Sequence, residues 1–307
     1  MKPIILHKVL LLCTYILLLF GCSQKKTTDP FSILNHKGIL LSTRFDSYEE
    51  FKKEVRIKYH ESTRSCVELI QHSGDQKLVS KLCEGLKESD ILKANNGNLI
   101  DKINLMVKSP YFVANRYEML KIWLLSRNRP TYFGNGDVAF YNVAVAMQNN
   151  IRKEAIDNLQ IEDLSEKGFI NTFNHVTSQA FMTALYGEQL ADFIADTHER
   201  NKLPELITGR FSEDQINDLD EGPLDNYIDV INNEWGQELG KMLRIKYGID
   251  RYTVWDERLM ASFLNDLQSH FTWSLDIEMK AFSENDPLVY KFATKINKIN
   301  IQSKGMM

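Results

Sequence analysis

The stretch NTFNHVTSQAFMTALYGEQLADFIADTHERN, Asn171 to Asn201, holds two of the chain's seven histidines with Gly187 between them. Read as one uninterrupted helix, it places His175 and His198 about 35 Å apart at 1.5 Å per residue, and no single ion or substrate could touch both. Read with a break at Gly187, where a left-handed backbone costs least, it becomes two antiparallel helices of near-equal length. Both histidines then lie at one level, near the open end. A glycine tolerated within a continuous helix, at about 1 kcal/mol, is the competing reading. His198 shares a face with Ala191, Ile194 and Ala195, which directs it to the core. His175 shares its face with Asn171, Thr172, Ser178, Gln179 and Met182, a half-polar set.

A second segment, DNYIDVINNEWGQELG, sets Asp225, Asp229, Asn232 and Asn233 at i, i+4, i+7 and i+8, along one helical face. Carboxylates and amides there interrupt what should be an apolar stripe. A buried Asp needs a partner, because an unpaired charge in the interior is very costly, and His175 or His198 is the candidate. A solvated acidic face is the alternative. Gly236 and Gly240, four apart, let a neighbouring helix approach closely. Pro223 near the first turn and Gly248 after the last mark the ends of this helix.

Helical spacing governs most of the remaining chain. SYEEFKKEVRIKYHESTRSCVELIQ opens with Ser47 and Glu50 at capping-box spacing. SPYFVANRYEMLKIWLLSRN, GDVAFYNVAVAMQNNIRKEAIDNL, VWDERLMASFLNDLQSHFTWSL and a shorter helix near Leu288 to Ile296 follow. No run of alternating strands stands out. The expectation is an all-α fold, a multi-helix bundle with αα-hairpins. It divides into residues 47–130, an N-terminal helical region; 131–250, a helical domain; and 251–307, C-terminal helices and tail.

The amino-terminal end differs in kind. Lys2 and Lys8 precede a run of mostly apolar residues, Val9 to Phe20, too short for a helix to cross a hydrocarbon core about 30 Å thick. Leu19-Phe20-Gly21-Cys22 resembles the lipobox of bacterial lipoproteins, with Phe20 bulkier than usual at its position. The resemblance implies removal of residues 1–21, lipidation of Cys22, as with palmitate, and a tether over 22–46. A plain signal peptide or uncleaved anchor is the alternative. Two or three acyl chains, at about 0.8 kcal/mol per methylene, hold a chain stably on a bilayer. The mature chain would have 286 residues; without Lys2 and Lys8 it carries 35 basic and 41 acidic side chains, net −6. No basic stripe suggests nucleic acid. Cys66 and Cys83 flank His72-Ser73-Gly74-Asp75, a turn between two expected helices. In an oxidising envelope they either bridge that hairpin or remain two buried thiols.

Asn171-Thr172-Phe173-Asn174-His175, Gly187, His198-Glu199, and Asp229 with Asn232-Asn233 and Gly236 together resemble a poorly characterised helical domain. That domain occurs in bacterial secreted and envelope proteins and in polymorphic toxins. Its pattern is Asn-Ala-x-Arg-His-Ala, a glycine, His-Glu, then Asp-x-x-Asn-Asn-x-x-Gly. The likeness spans about residues 134–248; Thr172, Asn174 and Val176 depart from it, and Asn174 replaces an arginine suited to binding anions. It implies a helical fold with a polar cluster and assigns no reaction.

Two functions remain in view. One is a membrane-anchored envelope lipoprotein with a binding or structural domain and a protein partner. The other is a metal-dependent or acid–base hydrolase acting on an envelope lipid or cell-wall component. In the latter His175, His198, Glu199, Asp229, Asn232 and Asn233 are the catalytic candidates, and His175, His198 and Asp229 the ligands of a divalent metal. His198-Glu199 lacks the second histidine of an HExxH helix.

Overall fold

The computed structural model describes residues 45–61, 63–73, 76–152, 159 and 161–304. The expected signal segment, Cys22 and nearly all of the expected tether lie outside them. In chain order the elements are α1 (Tyr48–Glu54), β1 (Val55–His60), β2 (Cys66–Ser73), β3 (Gln76–Cys83), α2 (Glu88–Asn96), α3 (Leu99–Lys108), α4 (Pro110–Ala114) and α5 (Arg116–Leu125). There follow α6 (Pro130–Phe133), α7 (Phe140–Asn149), α8 (Asn171–Tyr186), α9 (Glu188–Lys202), α10 (Glu213–Asn217), α11 (Pro223–Tyr247), α12 (Glu257–Leu275) and α13 (Pro287–Lys304). The fold is mostly helical. No helix of the described residues is long and apolar enough to cross a membrane.

The all-α expectation is corrected near the start. The segment read as one long helix keeps only its first turns as α1, where the Ser47 Oγ accepts from the Glu50 N–H at 3.1 Å. The chain then forms a three-stranded antiparallel sheet in the order β1-β2-β3. Its inner face is set by alternation: Val55, Ile57 and Tyr59 stand opposite Gln71, Leu69 and Val67, which in turn oppose Leu78, Ser80 and Leu82. Val67, Leu69 and Leu82 are fully buried, while Lys58, Lys77 and Lys81 take the other face. A period of two buries one side of a strand, and this pattern outweighs the helical spacing read over the same residues. The expected helical hairpin around His72 is therefore a β-hairpin with Ser73 paired to Gln76; residues 74 and 75 between them lie outside the described residues. Cys66 and Cys83 are paired in register across it and joined by a disulfide.

The bundle is centred on α8 and α11. Gly187, at φ 97° and ψ 153°, ends α8 and starts α9, so the chain folds back there. Helices α8 and α11 then run parallel at a constant offset of 58 residues, pairing Asn171 with Asp229, His175 with Asn233 and Gln179 with Gln237. Their separation is set by glycine. A Cβ on Gly236 would sit 2.5 Å from the Val176 carbonyl oxygen, and one on Gly240 equally close to that of Ala180. The small pair allows backbone-to-side-chain contact that any larger residue would prevent.

The apolar side of α8 enters an aromatic core in which Phe181 packs on Phe140, Trp255, Phe263 and Phe292. The sheet is sewn to α11 by polar contacts between aromatic residues and their neighbours. The Trp235 Nε1–H donates to Gln71 Oε1 at 3.1 Å, and the hydroxyls of Tyr59 and Tyr227 lie 2.9 Å apart. At the other end, buried Lys295 of α13 donates to the Arg127 and Val138 carbonyls and to Asp137, fixing the loop before α7. The left-handed Gly248, at φ 59°, closes α11 as the sequence implies.

Candidate functional site

The parallel pairing of α8 with α11, and the return of α9 between their ends, bring polar side chains from three helices together. His175 and Glu199 each lie twelve residues from Gly187, so the fold-back sets them at one level. The imidazole Nε2 of His175 is 3.3 Å from Asp229 Oδ1, and its Nδ1 is 2.9 Å from Asn233 Oδ1. Asn171 Nδ2 donates to Asp229 Oδ1 at 2.9 Å, and Lys202 Nζ donates to Asp229 Oδ2 at 2.9 Å. Asn233 Nδ2 donates to Glu199 Oε1 at 3.1 Å. The side chains of Asp229 and Glu199 are each 1% exposed, so both carboxylates are wholly desolvated and depend on these partners.

The two acids differ in proton affinity. Burial would raise Asp229, but the charges of His175 and Lys202 and the hydrogen bonds from Lys202 and Asn171 outweigh it, and its carboxyl is held below the usual range. Glu199 is pushed up, first by burial and then by the neighbouring Asp229 charge. Burial works against the Lys202 ammonium; the Asp229 and Glu199 charges more than offset that and strengthen its hold on the proton. One turn before Asp229, Asp225 is raised to about 6 by burial and by Asp229, while Lys167, 3.3 Å away, works against that rise.

Four of the six residues singled out in the sequence meet here: His175, Glu199, Asp229 and Asn233. His198 does not. It is half-exposed rather than turned to the core, and its Nδ1 lies 3.3 Å from Glu88 Oε1. That contact raises the imidazole and lowers the carboxyl of Glu88. On α9 the helical turn that points Glu199 inward rotates the preceding residue away. Asn232 is fully buried with both amide atoms unpartnered, one turn beyond Asp229. Two contributors were not singled out: Lys202, and Asn171 as the donor to Asp229. The signal was spacing, since Lys202 is three residues after Glu199 and Asn171 four before His175.

His175, Glu199 and Asp229 each offer a ligand atom, all within 4.8 Å of one another, so the group could hold a metal ion. Glu188, Glu234 and Glu238 form a similar group, but it lacks an imidazole, and Lys241 lies against it at 3.0 Å from Glu188 and 2.7 Å from Glu238. The cavity that touches Glu199 and Asn233, with Asp196 and Gln237, has a volume of about 10 Å³, room for roughly one water.

No protein-family model, curated protein or solved structure matches this chain.

Proposed function

We propose that this chain is a bacterial envelope lipoprotein, anchored through Cys22, whose helical body is a binding or structural module. Its buried polar cluster fixes the register of three helices. The observation that carries the structural role is Lys202: its ammonium donates to the buried Asp229 at 2.9 Å, so that acid has its counter-charge within the chain. A polar network in a bundle interior specifies one packing over others, since any slip breaks the hydrogen bonds that its members make. The Cys66–Cys83 bridge supports an oxidising compartment. In cells, the chain is expected to fractionate with membranes and to take up labelled palmitate. Cys22→Ser should abolish both; a soluble, unlabelled wild type would discard the anchor. For the module, Asp229→Ala should lower Tm by several degrees. An unchanged Tm would remove the structural role.

A hydrolase reading draws on the convergence of His175, Glu199 and Asp229, whose ligand atoms lie within 4.8 Å of one another, with Glu199 displaced upward and Asp229 downward. That split is the arrangement of an acid and a base working together. The substrate would be an envelope lipid or a cell-wall component. Glu199→Gln should then abolish turnover of such substrates, and absence of turnover in the wild type would end this reading.

A further inference from the structure

We propose that His175, Glu199 and Asp229 bind one divalent cation of the zinc class, and that the Lys202 ammonium is its built-in competitor. The inference goes beyond the module described above and does not depend on the lipid anchor.

The first argument is the orientation of the imidazole. Asn233 donates through Nδ2 to Glu199, which turns its Oδ1 toward His175. The His175 Nδ1–H therefore donates to that oxygen, and Nε2 faces Asp229 Oδ1 at 3.3 Å. In the ion-free chain a proton on Nε2 serves this pair, and a divalent ion would take that proton's place between the two atoms. A metal-ligating imidazole characteristically donates its other N–H to a carbonyl or carboxylate oxygen, as His175 does to Asn233. Zinc binds nitrogen and oxygen at about 2.0–2.2 Å, so neighbouring ligands in a tetrahedral array lie roughly 3.4 Å apart, close to the 3.3 Å between His175 and Asp229, and Glu199 lies within 4.8 Å of both.

The second argument is an orphaned atom. Glu199 Oε2 is buried and has no hydrogen-bond partner; the Lys202 ammonium lies 4.0 Å from it, beyond bonding distance. A desolvated carboxylate oxygen left in that state is costly, and an ion among the three ligands would satisfy it. The third argument concerns Lys202. Its side chain is 35% exposed on a flexible stem, so its ammonium can withdraw to solvent and release Asp229 Oδ2. A doubly charged ion also balances two carboxylates where one ammonium does not. One imidazole with two carboxylates favours first-row ions such as zinc over calcium or magnesium, which take oxygen ligands. Three protein ligands leave a coordination position open for water or a ligand.

The test is calorimetric titration of the chelator-stripped full chain with zinc, alongside Lys202→Met, Glu199→Gln and His198→Ala, with circular dichroism to establish folding of each. The wild type should bind one ion. Lys202→Met should bind about tenfold tighter or more, Glu199→Gln about 10–100-fold weaker, and His198→Ala unchanged. Absence of stoichiometric uptake by both the wild type and a folded Lys202→Met would overturn the proposal. So would a Lys202→Met variant no tighter than the wild type, or binding that depends on His198.

Discussion

Asn171 and Asp229, fifty-eight positions apart, are joined by a 2.9 Å hydrogen bond, and the same offset recurs at His175–Asn233 and Gln179–Gln237. The offset is constant because α8 and α11 are parallel and touch along a ridge with no side chain at Gly236 and Gly240. The polar ladder and the glycine ladder belong to one interface. The glycines bring the helices close enough for short side chains to meet, and the hydrogen bonds fix which residues meet.

Gly236→Ala tests that coupling. The new Cβ would meet the Val176 carbonyl oxygen at 2.5 Å and the Gln179 Cβ at 2.6 Å, so the helices must separate. Urea denaturation should show a loss of about 1–3 kcal/mol despite alanine's better helix propensity. A stabilised variant would mean that the close approach is not needed.

Glu199→Gln has a signed pH dependence. Burial and Asp229 raise the Glu199 carboxyl, so the folded chain holds this proton more tightly than the unfolded chain. That contribution is present below the unfolded value, near 4.5, and is lost as pH rises through the folded value. In chelator, Glu199→Gln should match the wild type in acid and be the more stable of the two at pH 8. Thermal melts across that range check it; equal destabilisation at both ends would contradict the sign.

His270 governs an acid limb of its own. It is 2% exposed on α12, against the rings of Trp235, Phe271 and Trp273, and it lines a cavity of about 300 Å³ with Leu239, Met242 and Leu243. Burial lowers its imidazole from 6.5 to about 4. Between those values the unfolded chain takes up a proton that the folded chain refuses, so stability falls as pH drops from 6.5 to 4, by about 3 kcal/mol in all. His270→Phe should flatten this segment of the stability profile. An unaltered slope would assign the acid limb to other groups.

Reduction of the Cys66–Cys83 bridge should cost about 3 kcal/mol, the chain-entropy value for a loop closed over 17 positions. Paired Cys66→Ser and Cys83→Ser variants, compared with the wild type with and without reductant, isolate the effect. Reductant should not alter the double variant. Equal stability of the oxidised wild type and the double variant would show that the bridge adds nothing.

The local pattern of this sequence determined the helical bulk of the chain, the break at Gly187, the close approach at Gly236 and Gly240, and the polar face from Asp225 to Asn233. Each rests on interactions within a few residues: helical periodicity, a glycine's access to positive φ, a small residue's lack of bulk. The sheet was also written locally, in the alternation of Val55, Ile57 and Tyr59 and of Val67, Leu69 and Gln71. A strand and a helix compete over such short stretches, and the cross-strand partners that decide between them lie elsewhere in the chain. Tertiary structure alone decided that His175 meets Asp229, that His198 turns instead to Glu88, and that Lys202 rather than a histidine lies against both acids. The first depends on how α8 docks on α11, and the other two on the rotation of α9 about its own axis. That rotation is set by which face packs on α8 and α11, and no residue of α9 specifies it in isolation.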